Sequence, residues 1–337
     1  MKLKPIHEQV AVVFGASSGI GRQTAIDFAR RGARVVVAAR SREGLDSLVK
    51  TIHDSGGKAI AKQADAADFE QVRAVAEEAV REFGHLDTWV HAAAISLYAR
   101  FEDTDPEEFR RVIEVNLVGQ AYGARAALPH LRREGRGALI HITSVESVLA
   151  MPLQSAYAAS KHGAKGMLDA LRRELEAEGV PISVTNVMPA GINTPLFNHA
   201  RTKLGVKPTP MPPIYEASTV SDVILYAAEH PVAEIYAGGA AKAFATLQSA
   251  VPRLVDRVVA RTAIPGQETD EAKPLGAPDN LYQPVGDHRV SGDFSAQARQ
   301  VSVYNWLETH PLGGVILAGT AIGVVGGAVG WLATRKT

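Results

Sequence analysis

The chain has 337 residues, 46% of them apolar, and its 36 Lys and Arg balance 36 Asp and Glu. Such a length supports one large domain with an appendage, and such a composition supports a full hydrophobic core without disulfides. The charge balance argues against a nucleic-acid partner, which needs a basic footprint, and the lack of cysteine excludes a disulfide scaffold, a thiolate nucleophile and cysteine-ligated zinc. A reducing compartment fits. The polar start Met1–Gln9 carries no apolar leader, so a cytoplasmic catalytic domain is expected.

From Val10 to about Val187, short β-branched runs alternate with longer stretches of helical apolar spacing. The short runs are Val10–Phe14, Arg34–Ala39, Lys58–Ala61, Thr88–Ala92, Ala138–Thr143 and Ile182–Val187, and a seventh is expected at Glu234–Tyr236. Near-continuous apolar runs suit strands covered by helices on both faces. Repeated βα units imply a right-handed, doubly wound parallel sheet of the Rossmann type, an α/β fold of about seven strands.

The first run leads into Gly15-Ala16-Ser17-Ser18-Gly19-Ile20-Gly21, followed by a helix reaching about Arg31. Glycines between a first strand and a helix allow a tight turn and a close approach to a pyrophosphate. The second run ends at Ala39-Arg40-Ser41. This tip meets the adenosine ribose in such a unit; an arginine there, without an acid at Val37, Ala38 or Ala39, favours NADP(H) over NAD. Asp105-Pro106-Glu107-Glu108 supplies a helix start with a cap, a proline and a capping-box carboxylate.

Tyr157 and Lys161 lie one helical turn apart on one face. A phenol with a pKa near 10 is a poor acid–base at neutral pH, and a neighbouring ammonium lowers that value. Ser144 follows the run Ala138–Thr143, at the carboxyl edge of the sheet, where its hydroxyl could bond a substrate oxygen. Glu146 could reach the same cleft or point to solvent; a buried carboxylate there is costly unless paired or protonated. His162 is read as packing or solvent-facing, and none of the eleven histidines has metal-ligand spacing, so no metal is expected.

Further on, Val220–Glu229 and Ala240–Arg261 read as helices, whereas Pro265–Ser295 is rich in Pro, Gly and Asp and reads as a loop or linker. The expected division is a catalytic domain over 1–262, a loop-rich extension with a short helix over 263–310, and a distinct stretch over 311–334. That stretch, Pro311 to Thr334, holds no charge, is long enough to cross a bilayer, and repeats glycine at 319, 323 and 327. A membrane tail anchor is the expectation, against a glycine-rich tail packed on a partner.

Taken in order, these motifs resemble the short-chain dehydrogenase/reductase family, with the likeness running from about Val10 to Tyr236. The family's serine stands thirteen residues before its tyrosine, as Ser144 does before Tyr157. The resemblance implies that Asn116 is the family's asparagine and that Asp65, with Ala66, meets the adenine. It likewise places Ala92 and Ala94 by the adenosine ribose, and Pro189-Ala190-Gly191, Ile192 and Thr194-Pro195 on the nicotinamide side. The implied activity is hydride transfer between NADP(H) and a carbonyl or alcohol carbon. Tyr157 would be the acid–base and Lys161 would lower its pKa and hold the nicotinamide ribose. Ser144 would polarise the carbonyl, and Asn116 would hold a water linking Lys161 to solvent. A homo-oligomer is expected by the same analogy.

Two alternatives stand beside it: a silent NADP-binding sensor or structural protein, and an epimerase or dehydratase, which the glycine spacing disfavours. The chain also departs from the family's pattern. His91-Ala92-Ala93-Ala94 replaces two asparagines, an alanine and a glycine, and Phe14 stands where many members have threonine, so polar braces of the central sheet are expected to be lost. The segment from Ile192 to Tyr215 carries five prolines and reads as a stiffened lid over a substrate that would be lipophilic if the tail is in a membrane.

Overall fold

The computed structural model describes residues 1–310. The stretch read as a tail anchor, 311–334, lies outside the described residues. Among the described residues no helix is long and apolar enough to cross a membrane.

Seven parallel strands form the central sheet: β1 (Val10–Phe14), β2 (Arg34–Ala39), β3 (Lys58–Gln63), β4 (Thr88–His91), β5 (Gly137–Ile142), β6 (Ile182–Pro189) and β7 (Glu234–Ala237). Their order is β7-β6-β5-β4-β1-β2-β3, with every neighbouring pair parallel. The chain order reverses between β1 and β4, so a crevice opens beyond the carboxyl ends of these two strands. All residues of β1, β5 and β6 are buried, as expected of strands roofed on both faces.

The roofs are α1 (Gly19–Arg30), α2 (Arg42–Asp54), α3 (Phe69–Phe83), α4 (Pro106–Ile113), α5 (Gly119–Arg133), α6 (Ser155–Ala177) and α7 (Ala217–Glu229). Two apolar clusters fill the space on the two faces, one around Phe28, Leu45 and Val220, the other around Val72, Trp89 and Leu131. Local signals set the helix ends. Ser41 accepts from Gly44 N to start α2, Asp68 accepts from Gln71 N to start α3, and Gly84, at φ +88°, ends α3. Asp105 and Glu108 form the expected capping box of α4.

Where polar braces of the sheet were expected to be missing, the structure places stacked rings. Phe14, His91 and His141 sit on the neighbouring strands β1, β4 and β5, with centroids 5.2 and 5.7 Å apart and nearly parallel rings. Gly123 of α5 makes room for this row: a Cβ there would lie 2.5 Å from His91 Nδ1 and 2.7 Å from Trp89 Nε1.

The region after β7 differs from the sequence reading. The single helix expected over Ala240–Arg261 is two, α8 (Gly239–Ala250) and α9 (Pro252–Gly266). Pro252 forces the break, since the residue before a proline is pushed out of the helical region and Val251 sits at φ −137°, ψ 57°. Helix α9 runs through Pro265, where the sequence pattern predicts a loop to begin, and Glu268–Ala272 then pairs antiparallel with Val206–Pro208. No further helix or strand follows until α10 (Val303–Thr309).

Candidate active site

A single cleft runs from the glycine loop to α6, along the carboxyl edge of the sheet. The glycine turn is shaped by close approach. Gly15 has φ +89°, and a Cβ on it would lie 2.4 Å from Ala93 N; one on Gly21 would lie 2.3 Å from Gly15 O. Every residue read from the sequence as cofactor-binding lines this cleft: Gly15, Ser17, Ser18, Gly19, Ile20 and Gly21; Arg40, Asp65 and Ala66; Ala92 and Ala94; and Pro189, Gly191, Ile192 and Thr194. So do Ser144, Tyr157 and Lys161. Asn116 does not; it is fully buried behind the cleft in a π-helical turn, Glu114–Val118, between α4 and α5.

At the floor, Ser144 caps a short turn just past β5, its hydroxyl accepting from Glu146 N at 3.1 Å. Tyr157 lies in the first turn of α6, and Lys161 one turn on reaches back to donate to Ile142 O at 3.0 Å. The ammonium lies 5.4 Å from the centroid of the Tyr157 ring. Asn116 ties this floor together: its Oδ1 accepts from Ile95 N and its Nδ2 donates to Ile95 O, both at 2.9 Å. The same Nδ2 donates to Ser160 Oγ at 3.3 Å, and Ser160 Oγ donates to Tyr157 O at 2.6 Å. Both amide hydrogens of Asn116 are therefore committed to protein partners.

Electrostatically the site is governed by burial. Desolvation pushes the Tyr157 phenol up, the nearby Glu146 adds to the rise, and the Ser144 hydroxyl opposes it. The lowering of the phenol expected from Lys161 is not found, and burial also lowers Lys161 itself, to about 7, against the opposing charge of Glu146. Glu146 is buried with them and pushed up to about 8, chiefly by desolvation. Its Oε1 accepts from Gln154 Nε2 at 3.1 Å, and its Oε2 has no hydrogen-bond partner. Of the two sequence readings for Glu146, the structure selects the cleft. His162 is exposed, its Nδ1 2.9 Å from Ala158 O.

At the other end of the cleft, Asp65 is held below the usual carboxylate range: burial opposes ionisation, but the Ala67 N–H and the Arg111 guanidinium outweigh it. Arg40 is engaged by carbonyls, its Nη1 on Tyr282 O at 3.1 Å and its Nη2 on Asn280 O at 2.5 Å. Gly19 N donates to Arg289 O at 2.9 Å. The extension thus lies along the nucleotide end of the cleft, and Asn280, Pro284, Val285 and Asp287 line it. Sequence reading missed these four, because nothing local in a Pro- and Gly-rich stretch tells where it folds back. Two orphaned polar atoms, His199 Nε2 and Asn280 Oδ1, are buried in residues of the same wall. Free polar groups, an arginine with N–H groups to spare and a cleft reaching from the glycine loop to the tyrosine fit a dinucleotide.

The lid segment is pinned at several points. Gly191–Asn193 pairs with Ile214–Glu216, Arg201–Thr202 with Leu97–Tyr98, and a one-turn helix spans Leu196–His199.

Known proteins share this fold. Residues 9–205 match the family model for short chain dehydrogenases. The chain is 36% identical to the uncharacterized oxidoreductase YxnA of Bacillus subtilis (strain 168), over 100% of this chain and 93% of that protein. It is 33% identical to dehydrogenase/reductase SDR family member 7B of Bos taurus, over 60% of this chain and 63% of that one. Among solved structures, an actinorhodin polyketide ketoreductase variant with NADPH is similar, at a TM-score of 0.54 and 29% identity. That likeness covers 58% of this chain and 74% of the other.

Proposed function

Because the chain belongs to the short-chain dehydrogenase family and is an oxidoreductase of that type, we propose that it is an NADP(H)-dependent enzyme interconverting a carbonyl compound and its alcohol, with Tyr157 as acid–base. The observation that carries the reading is the meeting of Ser144, Tyr157 and Lys161 at the buried floor of a cleft whose other end is the glycine loop. Bound there, the nicotinamide would supply or take up the hydride. In reduction the Tyr157 hydroxyl delivers a proton to the substrate oxygen, and in oxidation it takes one back. The Ser144 hydroxyl donates a hydrogen bond to the same oxygen as its charge grows. Lys161, held by Ile142 O, carries its ammonium beside the Tyr157 ring and favours the phenolate whenever it is charged. Asn116 acts by fixing Ile95 and Ser160 rather than through a free amide.

The preference for NADP(H) rests on Arg40. Two of its donors hold the carbonyls of Asn280 and Tyr282, which leaves the rest of the fork for a ribose phosphate. The solved ketoreductase with NADPH points the same way. The test is a fluorescence titration of the full chain with NADPH and NADH, followed by turnover of a panel of ketones and aldehydes. NADPH should bind more tightly than NADH, and Arg40→Ala should weaken NADPH roughly 10-fold or more while changing NADH little. Failure to bind either nucleotide would falsify the proposal.

A further inference from the structure

Helix α9 is amphipathic in an inverted sense: a stripe of its apolar side chains faces outward. Leu254 is 57% exposed and Val258 51% exposed, and the stripe continues into Leu247, 48% exposed, and Val251, 40% exposed. Of the helix's residues only Ala263 is buried, so little of α9 is used to stabilise the fold. Arg253, Arg257 and Arg261 step along the exposed side four residues apart, and the helix carries a single acid, Asp256, which is exposed as well. A contiguous apolar stripe beside a row of arginines is the pattern of a helix lying in a membrane interface. The second observation lies elsewhere in the chain. Helix α10 packs on α8 and shows Val303, Trp306 and Leu307 to solvent, and directly beyond it come the 24 uncharged residues 311–334.

We propose that α9 and the exposed side chains around it dock on an anionic lipid bilayer, with the apolar stripe in the acyl boundary and the arginines on lipid phosphates. Within α9 itself three cations stand against one anion, which favours an acidic surface over a neutral one; the exposed acids Glu268, Asp270 and Glu271 come only after the helix has ended. The docking has a consequence for the cleft. Helix α9 is capped by Gln267, whose side chain accepts from Gln154 Nε2 at 2.8 Å in the cleft wall, and Gly266 packs on Met211, another lining residue. A bilayer under α9 lies beside the substrate end of the cleft, which suits a lipophilic carbonyl compound; this last step rests on the proposed oxidoreductase activity, whereas the docking does not.

The cysteine-free chain allows a direct test. Full-length Leu254→Cys and Val258→Cys variants, and Thr51→Cys on the exposed side of α2 as control, are labelled with an environment-sensitive dye. They are then mixed with vesicles of phosphatidylcholine containing phosphatidylglycerol, with and without brominated acyl chains. Docking predicts a blue shift and bromine quenching at 254 and 258 but not at 51, weakened in phosphatidylcholine alone and in high salt. The side chains are exposed, so the substitutions leave the fold intact, which circular dichroism checks. Three results would overturn the proposal: no quenching at either stripe position, a blue shift without lipid that grows with protein concentration (a second copy), or one without lipid that disappears when 311–337 is deleted (the chain's own tail). Nucleotide binding by the same labelled proteins is read separately, so loss of the oxidoreductase reading and loss of the docking surface are distinguishable.

Discussion

Between Val10 and Ala237 the chain is held by an unbroken parallel ladder whose strands β1, β5 and β6 are wholly buried. Between Ala277 and Phe294 there is no ladder at all. That segment is fastened one contact at a time: Arg40 on the carbonyls of Asn280 and Tyr282, Arg111 Nε on Leu281 O at 3.1 Å, and Phe294 N on Asn193 Oδ1 at 3.0 Å. Leu281 and Phe294 anchor it as buried members of two apolar clusters, and the partly buried Val290 packs against a third. Both regions line the same cleft, yet one is built from contacts implied by periodicity and the other from contacts between residues hundreds of positions apart. The first kind yields a rigid floor for chemistry. The second yields a wall whose position depends on a few polar side chains.

The contrast is sharpest for variants that separate floor from wall. Tyr157→Phe should lower kcat by about 10²–10⁴-fold while NADPH affinity stays within a few-fold; steady-state kinetics beside a titration checks this, and an equal loss of affinity would make the tyrosine structural. Leu281→Ala empties the anchor of the wall and should destabilise by roughly 2–5 kcal/mol. In urea the sign to look for is whether unfolding stays a single transition. A separate early step would show that the wall is its own cooperative unit.

Gly123→Ala probes the floor's interior. The added methyl would run into His91 and Trp89, and overpacking of this kind costs about 1–3 kcal/mol. The wall should be untouched, so NADPH affinity should hold while the denaturant midpoint falls.

Glu146→Gln is the mildest. Its carboxyl is pushed from 4.5 to about 8, so between those pH values the folded chain keeps a proton that the unfolded chain releases. That contribution to stability is complete below about pH 4.5 and is lost as pH rises through about 8. Glutamine removes the slope: melting temperatures of variant and wild type should differ least at pH 5, with the variant ahead by several degrees at pH 9. A constant difference across that range would mean that Glu146 is charged in the folded protein.

Several features of the site were readable because the chemistry is local. The glycine turn, the capping box at Asp105 and the Tyr157–Lys161 pair each depend on spacings of a few residues, so they survive as patterns in the chain. The break at Pro252 is just as local, since a proline displaces the residue before it from the helical region. Other features had no local trace. That His91 stacks between Phe14 and His141 follows from the register of three strands, not from any one of them. That the Tyr157 phenol is raised rather than lowered follows from how deeply it and Lys161 are buried.

The sequence by itself determined the α/β class, the strand alternation and the residues that meet at the sheet's carboxyl edge, because hydrophobic period and turn chemistry act over short distances. Only the tertiary structure decided that Asn280 and Tyr282 take hold of Arg40, that Glu146 faces the cleft, and that α9 turns Leu254 and Val258 outward. Each of those depends on which distant surface a segment packs against, and burial, desolvation and hydrogen-bond partnership exist only once that packing is made.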